Sequence, residues 1–147
     1  MKTLWDATAR AELATRLARL DAQSTPRWGK LNCAQMLAHV ADGVRMTLGD
    51  LKCQPKGGPL RFWPLKQLII YWLPFPKGAP TAPELLARPA VSIEQERAAL
   101  LNLLEQLTAR AGQTAWPEHP AFGPLSAQDW GALVYKHVDH HLRQFGV

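Results

Sequence analysis

The stretch that decides the fold is Ser126-Ala127-Gln128-Asp129-Trp130-Gly131-Ala132-Leu133-Val134-Tyr135-Lys136-His137-Val138-Asp139-His140-His141-Leu142-Arg143-Gln144. Ser126 with Asp129 three residues on is a helix start signal. Trp130, Val134, His137 and His141 then recur at helical spacing, with Leu133 and Val138 beside them. The spacing predicts one long amphipathic helix whose apolar seam ends in imidazoles. An imidazole where a leucine is expected needs a partner, because burying an unpaired polar group is costly. A metal ion is one such partner and a hydrogen bond is another.

Three more segments upstream carry the same 3.6-residue period. Leu13, Leu17 and Leu20 mark a helix from about Leu4 to Ala22, ended by Ser24-Thr25-Pro26. Asn32 with Gln35 opens a second, whose stripe is Met36, Leu37, Val40, Val44 and Leu48, stopped at Gly49-Asp50. Ser92 with Gln95 opens a third, with the seam Leu100, Leu103, Leu104 and Leu107 and a stop at Gly112. Between the second and third, eight of the chain's 12 prolines fall at positions 55–89, which forbids one long helix there. Only Phe62 to Trp72 is compatible with a short helical piece, Pro64 lying in its first turn. No run of alternating strand residues is present. The pattern predicts an all-α fold: a four-helix bundle with a long Pro-rich crossover between helices two and three. The short links make helices one and two, and three and four, antiparallel pairs.

Length and composition agree with that picture. The chain has 147 residues, 47% hydrophobic and 20% charged, which is globular composition and the size of one domain over 1–147. Cys33 and Cys53 form no CxxC pair and are too few for a disulfide scaffold. Cys33, in the first turn of the second helix, reads as a small buried side chain or as a thiol activated by the helix dipole. Met1 to Asp6 lacks a signal-peptide layout, and Phe62–Phe75 is too short and too interrupted to span a bilayer. A cytoplasmic location is the expectation.

The net charge of +5 is concentrated at 51–90. There Lys52, Lys56, Arg61, Lys66, Lys77 and Arg88 face one acid, Glu84, while the rest of the chain balances. The plain reading is a solubilising loop. The functional one is a rim that attracts an anionic ligand, with Lys52, Lys56 and Arg61 as candidates. No nucleic-acid-binding motif accompanies the charge.

Of five histidines, His137 and His141 are four apart and lie one turn apart on one helix face. That spacing lets two imidazoles share one ion; the glutamate of the HExxH protease motif is absent. His39, mid-helix beside Met36, Val40 and Gly43, is the natural third ligand. Three histidines leave positions open for water or substrate, as catalytic sites do. No Glu-x-x-His repeat is present, which argues against a di-iron carboxylate site. Three imidazoles suit zinc, nickel, iron or copper alike. His119, in a Pro-flanked loop, reads as a loop residue.

The run His137-Val138-Asp139-His140-His141-Leu142-Arg143-Gln144-Phe145 resembles the last-helix signature of the DinB/YfiT-like superfamily. The segment Trp28-Gly29-Lys30-Leu31-Asn32-Cys33-Ala34-Gln35-Met36-Leu37-Ala38-His39-Val40 resembles its second-helix entry. The stretch from His119 to Trp130 is similar to a branch described only as a domain of unknown function. The resemblance implies a four-helix bundle holding one divalent metal, zinc or nickel foremost and iron after them, through His39, His137 and His141. His140 then stands outside the ligand set at the pocket rim, and Gln144 supports His141 or anchors the helix end. Some relatives are transferases or isomerases that use a low-molecular-weight thiol as cosubstrate.

The expectation is a metal-dependent enzyme acting on a small molecule, with an anionic thiol held by the basic region. Its rivals are a non-catalytic metal- or ligand-binding bundle, serving as sensor or interaction module, and a protein whose histidines are hydrogen-bonded core residues. Asp42, one turn after His39, is a candidate support for that ring, beside its plainer reading, shared with Asp139, as a solvent-facing carboxylate. Six tryptophans are many for this length. Most are expected to fill the bundle ends and pin the crossover. Trp63, Tyr71 and Trp72 are candidates to line a substrate pocket, and Phe62–Phe75 is a candidate homodimer face.

Overall fold

A computed structural model of the chain describes residues 2–147; Met1 lies outside them. The described residues are all-helical: five helices and no strand, with one isolated antiparallel bridge between His119 and Gly123. The helices are α1 (Ala7–Leu17), α2 (Cys33–Leu48), α3 (Leu65–Gln67), α4 (Ile93–Ala109) and α5 (Ala127–Gln144). None is long and apolar enough to cross a membrane. Helix α2 packs on α4 and α5, and α1 packs on α5. The sequence stripes meet in one core: Leu13 and Leu17 from α1, Met36, Leu37, Val40 and Val44 from α2, Leu100 and Leu107 from α4, and Trp130, Val138 and Leu142 from α5.

The caps at the site-bearing helices form as their residue types dictate. Asn32 accepts from Gln35 N and Gln35 returns the bond, and Ser126 and Asp129 do the same at α5. Gly49 ends α2 at φ 87°, a conformation that costs a residue with a Cβ far more.

Two boundaries differ from expectation. Helix α1 is shorter than Leu4–Ala22 at both ends, because tertiary and turn bonds claim its flanks. Leu4 N donates to Gly131 O at 2.9 Å and Trp5 Nε1 to Ala127 O at 2.9 Å, so the entry is held by α5. Asp21 accepts from Gln23 N and from Ser24 Oγ, a local turn that competes with helix continuation. Helix α4 ends at Ala109, with Arg110 as its cap at φ −94°, before Gly112 is reached. Ser92 caps α4 by accepting from Gln95 N, without the reciprocal bond from Gln95.

The crossover contains a 3-10 turn at Pro59–Arg61, helix α3 running into a π-helical turn at Leu68–Trp72, and a second 3-10 turn at Pro83–Leu86. Its inner face is bolted to α5. Ile70 is fully buried, Tyr71 Oη donates to Asp129 Oδ1 at 2.6 Å, and Lys136 Nζ donates to the carbonyls of Ile69 and Ile70. Its outer face is left bare: Phe62, Trp63 and Trp72 are 67%, 79% and 78% exposed, with Leu73 beside them.

Candidate metal centre

Helices α2 and α5 bring His39, His137 and His141 together. One ligand nitrogen from each lies within 4.8 Å of the others. The three rings pack edge to face, with centroids 4.8–5.0 Å apart. His39 is buried, and His137 and His141 are partly so.

The hydrogen bonds decide which nitrogens are free. His39 Nδ1 faces Leu85 O at 3.3 Å. A carbonyl only accepts, so Nδ1 carries the proton and Nε2 keeps its lone pair. Gln144 Nε2 donates to Trp28 O at 2.6 Å, which turns Oε1 toward His141. His141 Nδ1 donates to that oxygen at 2.8 Å, freeing its own Nε2. Metal-bound histidines are oriented in this way, the remote N–H given to a carbonyl or amide. His39 Nε2 and His137 Nε2 stand 3.1 Å apart. Two nitrogens each about 2.0–2.1 Å from one ion, at tetrahedral or octahedral angles, would stand roughly 2.9–3.4 Å apart. The donor set and its spacing therefore fit a divalent ion.

Gly43 makes room for this arrangement. A Cβ there would lie 3.1 Å from His137 Cε1 and 3.2 Å from its Nδ1. A glycine inside a helix weakens it by about 1 kcal/mol relative to alanine, so this position serves the close approach of α5 rather than α2 itself.

Electrostatics keep the imidazoles neutral. Burial pushes His141 down to about 3, with the neighbouring His39 adding to the effect and the Gln144 bond opposing it. Burial, then the charges of His141 and His39, hold His137 well below the usual range. Burial lowers His39 too, against the Leu85 bond and Asp42. Neutral imidazoles are the form that offers lone pairs to a metal.

His140 is not part of the cluster. Its ring stands 5.2 Å from that of His141 and between Trp28 and Phe75, each at 5.8 Å. It lines a cleft of about 860 Å³ formed by α1, α5 and the crossover. Tyr71, Trp72 and Phe75 line that cleft as well, and Trp63 does not. Lys2, Arg16, Arg19, Lys77, Lys136 and Arg143 surround it, with Glu12 and Asp139 as the acids. Lys77 Nζ sits 4.7 Å above the Trp28 ring and Lys136 Nζ 5.2 Å above Phe75, the geometry of cation–π pairs.

The three cationic candidates lie elsewhere. Lys52, Lys56 and Arg61 do not line this cleft. Lys52 and Lys56 are exposed, and Arg61 is held by Glu118 at 3.0 Å. Of the basic window, Lys77 alone lines the cleft; the other cations there come from the N-terminal segment, from α1 and the turn after it, and from α5. Position along the chain carried no information about which cations the fold would gather.

Asp42 and Asp139 are not solvent-facing carboxylates. Asp42 is 4% exposed and accepts from Arg45 and from Arg88 Nε, the latter at 3.2 Å. Asp139 accepts from Arg16 at 2.7 Å and from Arg143 at 2.9 Å. Arg88 also forks onto Glu96, a buried glutamate that sequence periodicity gave no reason to notice. Both thiols are raised by burial, Cys33 and Cys53 alike, which disfavours the reactive thiolate. His119 is a loop pin: its Nδ1 accepts from Ala121 N at 3.0 Å and Phe122 N at 3.2 Å.

No curated protein and no solved structure matches the chain. A family model does, over residues 5–145, and that range takes in both helices of the histidine cluster. On that match the chain belongs to the DinB superfamily.

Proposed function

We propose that this protein is a metal-dependent enzyme that binds one divalent ion, zinc or nickel foremost and iron after them, through His39, His137 and His141. The observation that carries the reading is the convergence of three imidazole nitrogens within 4.8 Å, with the remote N–H of His39 and His141 each held by an acceptor. When bound, such an ion lowers the pKa of a coordinated thiol or water and makes it nucleophilic near neutral pH. Gln144 and the Leu85 carbonyl hold two ligand rings in the required tautomer. The cleft lined by His140, Trp28 and Phe75 is where this reading has a small-molecule substrate received, the His140 ring standing 5.2 Å from that of His141. Low-molecular-weight thiol transfer or isomerisation is the chemistry we assign to it, with cations of the cleft meeting an anionic cosubstrate.

The same proposal takes the four long helices as a four-helix bundle, with residues 49–92 as its crossover. The single family match over residues 5–145 supports reading 1–147 as one domain. A cytoplasmic location belongs to this reading. So does a homodimer in which a second copy covers the outer face of Phe62–Leu73.

Mass-spectrometric metal analysis of untagged protein tests the site. Close to one equivalent of metal is expected, lost in His137→Ala. Absence of metal, with no uptake of added zinc or nickel, would leave a hydrogen-bonded histidine core. A turnover screen with and without a thiol then separates an enzyme from a metal-binding sensor.

A further inference from the structure

The last turn of the crossover reaches His39; Glu84 accepts from Gln54 N at 3.0 Å on its outer side, and Arg88 fastens it to the helices. Pro83–Leu86 packs on α2, where Ala82 and Leu85 are buried. The Leu85 carbonyl is the acceptor that fixes the His39 tautomer. Three residues later Arg88 spans two helices. Its Nη1 and Nη2 donate to the two oxygens of Glu96 on α4 at 2.7 and 2.8 Å. Its Nε donates to Asp42 of α2 at 3.2 Å, and Nη2 also reaches Ala38 O at 3.5 Å. Glu96 is 2% exposed and takes a further bond from Val91 N at 3.1 Å. Asp42 and Ala38 flank His39 on its own helix. The guanidinium therefore ties the segment that carries Leu85 to the two turns of α2 that carry His39.

We propose that Arg88 is a positioning residue for the His39 imidazole, acting through the Leu85 carbonyl, with Glu96 and Asp42 as its anchors. The inference rests on the reading of His39 as a metal ligand. A loop carbonyl is a mobile acceptor unless its segment is held, and a planar fork with four acceptor atoms on three residues holds it at a fixed distance from α2. Without that bolt the carbonyl can move off Nδ1, and the His39 ring loses both its orientation and its single tautomer, presenting N–H where the lone pair belongs in part of its population.

Two measurements test this. The first is zinc affinity by chelator competition for the wild type, Arg88→Lys and the double variant Arg88→Met/Glu96→Leu. The double variant removes the buried pair together and leaves Asp42 with Arg45, so no buried charge is stranded. About 10- to 100-fold weaker zinc binding is expected in the double variant, the range typical when support for a metal histidine is lost. Its metal-free melting temperature is expected to stay near the wild type. Arg88→Lys, which cannot fork, is expected to fall between, and it serves alone if the double variant does not fold.

The second measurement is the nitrogen-15 spectrum of His39 in metal-free protein. The wild type is expected as the Nδ1–H tautomer and the variants as a mixture. Wild-type zinc affinity or an unmixed tautomer in the variants would overturn the proposal. If the wild type takes up no metal at all, the metal reading fails, and the tautomer spectrum still decides the role of Arg88.

Discussion

Gln144 joins His141 to Trp28: its Oε1 accepts the His141 Nδ1–H at 2.8 Å while its Nε2 donates to the Trp28 carbonyl at 2.6 Å. One amide thus sets the tautomer of a candidate ligand and ties the end of α5 to the loop before α2. Gly29 belongs to the same joint, because a Cβ there would lie 2.5 Å from Gln144 Nε2. In Gln144→Met the side-chain shape is kept and both bonds are lost. Zinc affinity is expected to fall about 10- to 100-fold by chelator competition. The stranded Trp28 carbonyl is expected to cost about 1–3 kcal/mol of stability in denaturant titration. Unchanged affinity beside reduced stability would make Gln144 a structural clasp only.

Gly43→Ala separates the site from the helix that carries it. Alanine favours helix by up to about 1 kcal/mol at such a position. Its Cβ would press on His137 at 3.1–3.2 Å, so the ring must shift by a few tenths of an ångström. The expected result is a metal-free melting temperature no lower than the wild type together with zinc affinity roughly tenfold weaker. Wild-type affinity would show that the His137 ring has slack the geometry does not suggest.

Much of this was legible because it is local. The i,i+4 pair of His137 and His141, the caps at Asn32 and Ser126, and the Gly49 stop each depend on residues within one or two turns. The Arg88 fork was not legible, because it joins a proline-rich crossover to the first turn of α4 and to mid-α2, and no period links those positions. Asp42 looked like an ordinary helix carboxylate for the same reason: its long-range partner, Arg88, comes from the crossover. The basic window at 51–90 misled about the cleft, since charge was counted along the chain while the fold collects Lys2, Arg16, Arg19, Lys136 and Arg143 from outside the window and only Lys77 from within it. The start of α1 was lost to tertiary bonds from Leu4 and Trp5 and its end to the local turn at Asp21, which together outweigh a leucine repeat.

The outer face of Phe62–Leu73 sets the expected oligomeric state. Its inner residues are anchored to α5 through Tyr71 and Lys136, so the bare aromatics cannot turn inward without breaking those bonds. Light scattering on a sizing column is expected to give about twice the chain mass of 16.4 kDa. Trp63→Ser with Trp72→Ser is expected to give the single-chain mass, since interface aromatics carry much of the association energy. A monomeric wild type across the micromolar range would remove the homodimer from the proposal.

His119 gives the fold an acid-sensitive joint outside the candidate ligand set. Burial pushes it down to about 4, whereas an unfolded-chain histidine titrates near 6.5. Between those values the unfolded chain binds the extra proton, so stability is full above about pH 6.5 and is lost as pH falls toward 4. The slope for one such group is at most about 1.4 kcal/mol per pH unit. The physical cause is visible in the bonds: Nδ1 accepts from Ala121 N and Phe122 N, and protonation there removes both acceptor sites at once. The ring is also enclosed by Phe122 and Trp130, with centroids at 4.8 and 5.5 Å, so water cannot readily solvate a charge. His119→Asn keeps a side-chain acceptor for the two N–H groups and does not titrate. Urea unfolding of metal-free wild type and variant should give parallel stability curves above pH 7. Below pH 6.5 the wild type should fall more steeply, since the depressed histidines of the candidate cluster are present in both and His119→Asn removes only the least of the charges that lower His137. Curves that stay parallel down to pH 4 would mean that His119 keeps its proton affinity in the folded protein and that its burial is looser than the packing implies.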